Sequence, residues 1–74
     1  MNVTRRYYVG EQSDPNIDAM YSDKMTRIYD AVQQCEGICS TSNRKNIKGK
    51  TYIEVSIYVD YHRADELKDC LDSI

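Results

Sequence analysis

This 74-residue sequence contains no Phe and no Trp, one Pro, one His, three Gly and three Cys. Its aromatic content therefore rests on seven Tyr, and each brings a hydroxyl that needs a hydrogen-bond partner when buried. Two Leu, five Val, seven Ile and three Met are left to build a core. A chain this short buries only about 60% of its unfolded surface. That suffices for a single domain over residues 1–74, one small sheet against one or two helices. It does not also enclose a small-molecule pocket of roughly 300–1,000 Å³, so no small-molecule substrate and no cofactor is expected.

No apolar run exceeds three residues, against the roughly 18 that a membrane span needs. The opening Met1-Asn2-Val3-Thr4-Arg5-Arg6 is followed by polar sequence, not the apolar core of a signal peptide, and a cytoplasmic location is expected. An odd number of Cys in that setting argues against a disulfide framework. Ten basic residues against twelve acidic ones, a net charge of −2, exclude a generically basic nucleic-acid binder.

What is present organises into five elements. Residues 3–9 are β-branched and aromatic and end at Gly10, which predicts a strand. Asp14-Pro15 reads as a helix start, with Asp14 as N-cap and Pro15 in the first position. Ile17, Met20, Tyr21, Ile28, Val32 and Cys35 then recur on one helical stripe until Gly37 stops the helix. Residues 38–42 form a short, polar edge strand, and residues 43–50 a turn-rich loop. From Tyr52 to Asp60 the chain alternates strictly, with Ile53, Val55, Ile57 and Val59 on one side. A last helix runs over 63–72 through Ala64, Leu67 and Leu71.

The expected fold is α+β: β-α-β-β-α, an antiparallel three-stranded sheet in the order one–three–two, with both helices on one face. This is a ferredoxin-like split β-α-β without its last strand, and the outer edge of the first strand is expected to be open.

Chemistry-bearing constellations are sparse. Cys35, Cys39, His62 and Cys70 supply atoms zinc would accept, but no close ligand pair is present and free Cys ordinarily serves as a small hydrophobe. No metal site is expected. Cys70 and His62 lie eight residues apart, about 12 Å along a helix, too far for a nucleophile–base pair. The Gly are isolated, so no phosphate loop exists, and the carboxylates of the last helix are interspersed with Arg63 and Lys68. No enzyme is expected.

Two surfaces stand out instead. Strand alternation places Arg6, Tyr8, Tyr52, Glu54, Tyr58 and Asp60 on the sheet face that no helix covers. Tyr and Arg are the residue types on which protein interfaces most often turn. The second surface is the loop carrying Arg44, Lys45, Lys48 and Lys50 without an acid. It would project beside the same Tyr, as in base-stacking modules on sheets, although Glu54 and Asp60 on that face would repel phosphate. The leading expectation is a stoichiometric protein-binding module, directed at another protein or at a second copy through the first-strand edge or the open face. Small chains of this kind occur among phage and mobile-element inhibitors of host defence, including CRISPR systems, an analogy of size and fold only. Nucleic-acid binding is the alternative.

Overall fold

The computed structural model describes all 74 residues. Strand β1 (Asn2–Glu11) leads to helix α1 (Ile17–Gln34), then to strands β2 (Ile38–Ile47) and β3 (Lys50–Tyr58). A single 3-10 turn, Tyr61–Arg63, precedes helix α2 (Ala64–Asp72). The sheet is antiparallel in the order β1-β3-β2. The architecture is the α+β arrangement expected from the sequence.

The central strand owes its position to its alternation. Thr51, Ile53, Val55 and Ile57 are buried on one face, while Tyr52, Glu54, Ser56 and Tyr58 are not. Against the buried row pack Val3 and Val9 of β1, the α1 stripe of Ile17, Ile28, Val32 and Cys35, and Ala64, Leu67 and Leu71 of α2. Met25 and Ala31 also belong to this core, on turns of α1 between the stripe positions. Tyr7 reaches the core edge with its ring, and its hydroxyl donates to the Leu71 carbonyl at 2.8 Å. Burial pushes its pKa up to about 12, because the half-buried phenolate would lack solvation.

Four boundaries differ from the expectation, each for a local physical reason. The first strand does not stop at Gly10 but continues to Glu11, through a bulge between Tyr8 and Gly10. Helix α1 starts at Ile17, two residues later than the expected Pro15, and Asn16 rather than Asp14 stands in the N-cap position, because Asp14-Pro15-Asn16 forms a turn. Asp14 Oδ1 accepts from the Asn16 amide at 2.8 Å, and the Asp14 carbonyl accepts from the Ile17 amide at 3.0 Å.

At the other end of α1, Glu36 and not Gly37 takes the left-handed conformation, with φ of 55°. The Gly37 amide donates to the Val32 carbonyl and the Glu36 amide to the Gln33 carbonyl, the paired bonds of a Schellman ending. Gly37 is needed for space: a Cβ there would lie 3.2 Å from both Ile57 Cγ2 and the Tyr58 carbonyl oxygen.

The largest difference is in residues 43–50. They are not a loop: β2 runs on to Ile47 and turns back through Lys48-Gly49 alone. Both turn residues have positive φ, 52° and 77°, the type I′ geometry that matches strand twist. Pairing with β3 overrides the weak strand preference of Asn-Arg-Lys-Asn. A second bulge, at Ser40 between Cys39 and Thr41, resets which β2 side chains face which way.

The open sheet face as candidate functional site

Helices cover one side of the sheet, and the other is lined by transverse rows of cross-strand neighbours. The register sets Asn2–Tyr58–Ile38 at one end, then Thr4–Ser56–Thr41, then Arg6–Glu54–Asn43, then Tyr8–Tyr52–Lys45. Lys50, flanked by Glu11 and Ile47, closes the hairpin end. The Tyr52 and Tyr58 rows are six residues apart along β3, roughly 20 Å. Between them small polar side chains leave an open trough of about 380 Å³, whose lining includes Thr4, Arg6, Thr41, Asn43, Glu54 and Ser56.

At the Tyr58 end the large exposed side chains are apolar, with Asn2 beside them. Tyr58 is 56% exposed and Ile38 66%. Met1 pairs with Val59, whose amide donates to its carbonyl at 2.9 Å, and so lies on the helical side of the sheet with Val3 and Val59. It shares a surface hollow with Tyr61, which is also strongly exposed.

The hairpin end is aromatic and cationic. The Tyr8 and Tyr52 rings meet edge to face, centroids 5.7 Å apart. Arg6 lies over the Tyr52 ring and Lys50 over the Tyr8 ring, each at 5.6 Å. Glu54 sits between two cations: Lys45 Nζ donates to Oε1 at 2.9 Å, and Arg6 Nε and Nη2 donate to Oε2 at 2.9 and 2.6 Å. Hydrogen bonds from Lys45, then Arg6, hold its pKa below the ordinary carboxylate value. Lys50 donates to Glu11 at 2.9 Å, and that bond raises the Lys50 pKa.

The structure thus brings together Arg6, Tyr8, Tyr52 and Glu54 in one cluster and sets Tyr58 apart on the same face. Asp60 does not belong to the face. It lies beyond the end of β3, where its Oδ1 accepts from the His62 amide at 2.9 Å and caps the 3-10 turn. Strict alternation cannot extend past the last paired residue, which is why the sequence pattern misplaced it.

The four cations of 44–50 separate as well. Arg44 faces the helical side, bonded to Asp18 at 2.7 Å and lying over the Tyr21 ring at 5.1 Å. Lys45 and Lys50 stand on the open face and Lys48 is in the turn. Once 43–47 is a strand, successive side chains must point to opposite faces.

Sequence reasoning missed Ile38 and Ile47 as residues of this face. The Ile47-Lys48-Gly49-Lys50 spacing, with Gly second in a two-residue turn, is the signal that would have placed Ile47. No local signal reveals the Ser40 bulge that turns Ile38 outward.

Elsewhere, Cys35, Cys39, His62 and Cys70 do not converge. Cys35 and Cys70 lie against each other between the helices, and burial, followed by the charges of Glu66 and Cys70, pushes the Cys35 thiol up. Cys39 stands apart, donating to the Thr41 carbonyl. No helix is long and apolar enough to cross a membrane.

Comparison with protein families, with curated proteins and with solved structures finds no match to this chain.

Proposed function

We propose that this chain is a non-enzymatic interaction module that acts by stoichiometric binding of another protein through the Tyr58 end of the open sheet face. The observation that supports this reading is the exposure of Ile38 and Tyr58, direct cross-strand partners at this end of the open face. No element of the chain covers them. Large exposed apolar groups gathered in one place mark interaction surfaces, and Tyr contributes contact area with little side-chain entropy to lose. Sequestering a host factor, as an inhibitor of defence machinery would, is one form of such an activity. Self-association through the same face is another.

The test pairs capture with quantitative stoichiometry. Immobilised wild-type chain is expected to retain a partner at close to equimolar ratio, and the Tyr58→Ala, Ile38→Ser variant is expected to lose it. Both positions are exposed, so circular dichroism should show an unchanged fold. Sedimentation of the free chain over a concentration series reports a second copy as the partner. Retention of the same partners by the double variant would overturn the proposal.

A further inference from the structure

We infer that the hairpin end of the open face, built on Tyr8 and Tyr52, is a binding site for single-stranded nucleic acid. The inference goes beyond the protein-binding reading and uses the opposite end of the sheet.

Arg6, Lys45 and Lys50 flank the two rings on three sides, and Lys48 stands in the adjoining turn. Two carboxylates, Glu54 and Glu11, answer these four cations, so the end carries net positive charge. Sequence pattern alone makes Glu54 and Asp60 look repulsive to phosphate. The structure removes both objections. Asp60 caps the 3-10 turn away from the face, and Glu54 is held by two cations at once. Glu54 thereby holds Arg6 and Lys45 on either side of the central strand that carries Tyr52.

The distribution of polarity distinguishes this end from a protein interface. Protein interfaces concentrate apolar hot spots at the centre inside a polar rim. Here the rings are interleaved with Arg6 and Lys50 and adjoin the polar trough of Thr4, Thr41, Asn43 and Ser56. A ligand with flat faces, hydrogen-bonding edges and regularly spaced negative charge fits this order. Unpaired bases stack on exposed aromatic rings with little regard to sequence, and their edges and sugars would find donors and acceptors in the trough. A duplex hides its base faces, so the preference is for a single strand. The remaining surface steers the ligand to this side. Residues 11–36 carry six acids and two bases, and residues 60–72 five acids and two bases, which makes the helical layer repulsive to phosphate.

The test is fluorescence anisotropy with labelled oligothymidine and oligouridine about a dozen nucleotides long, titrated at several salt concentrations. With three cations on the face, the log–log salt slope is expected to be about −2. Tyr8→Ala and Tyr52→Ala are each expected to weaken binding about tenfold at fixed salt, with the slope unchanged. Lys45→Gln is expected to flatten the slope by about 0.7, and Tyr58→Ala to leave binding unaltered.

Absence of binding at low salt would overturn the inference, as would binding that both Tyr variants leave intact. Equal affinity for an oligoglutamate peptide would also overturn it, assigning the end to acidic protein segments. Because Tyr58→Ala reports on the other end, failure here and failure of the protein-binding proposal are read separately.

Discussion

The two ends of one sheet face are built from the same three strands, yet they present different chemistry and rest on different foundations. Under the Tyr58 row lie Val3, Ile57 and Val59, all nearly inaccessible, backed by Leu67 and Leu71 of α2. Under the hairpin end the buried strand residues are Val9, Ile53 and Thr51, and the Thr51 hydroxyl donates to Asn46 Oδ1 at 2.7 Å. Near that end β2 turns Ser42, Arg44 and Asn46 toward the helical side, and all three remain exposed. The exposed pair of Tyr58 and Ile38 thus sits on the firm part of the core. The cationic, aromatic end sits on a hairpin held mainly by its ladder, its tyrosines and its ion pairs. Exposed ion pairs contribute little to stability, so the hairpin end is expected to be the more compliant of the two.

That contrast can be broken first through the core. Ile57→Ala empties a fully buried position below the Tyr58 row and is expected to cost about 2–5 kcal/mol. In a domain this small that is a large share of the total stability. Chemical denaturation measures it, and a loss below about 1 kcal/mol would mean that the core under this end is not the rigid support described.

At the opposite end, Gly49→Ala meets no steric obstacle but forces a Cβ into the left-handed region at φ 77°. The expected cost is about 1–2 kcal/mol. Amide exchange should quicken at the tips of β2 and β3 and remain unchanged around Ile57. Uniform quickening would erase the distinction between the ends.

The smallest effect concerns Tyr7, which ties β1 to α2 between the two ends. Tyr7→Phe removes one hydrogen bond, worth about 0.5–1.5 kcal/mol. The same residue supplies a pH test. Its folded pKa of about 12 lies above its ordinary value of 10.0, so holding the proton stabilises the fold. That contribution is complete below pH 10 and is lost as pH rises toward 12. Tyr7→Phe should therefore show a shallower fall in stability across this window than the wild type. Parallel curves would show that the phenol is not linked to folding.

How much of this was legible in the chain follows from the range of the interactions involved. The alternation from Tyr52 to Tyr58 and the apolar stripe of α1 are local periodicities, and they specified the central strand, the long helix and most of the core. Arg6, Tyr8, Tyr52, Glu54 and Tyr58 were placed correctly on the open face because they lie in paired strands of uninterrupted register. Asp60 was not, because the ladder ends two residues earlier and a capping hydrogen bond turns it aside.

The seven Tyr, in a chain without Phe or Trp, determined that aromatic surface would be both plentiful and hydrogen-bonding. Composition also determined that the core would be small, since 74 residues with two Leu and no large aromatic hydrocarbon cannot build a deep one. Tertiary structure decided the rest. Pairing with β3 extended β2 through a segment of low strand propensity and sent Arg44 to the helices and Lys45 to the open face. A single bulge at Ser40 carried Ile38 outward to stand beside Tyr58. In a sheet the side-chain period is two, so one inserted residue reverses every face that follows. Such an insertion is set by the partner strand, and the strand's own sequence does not announce it.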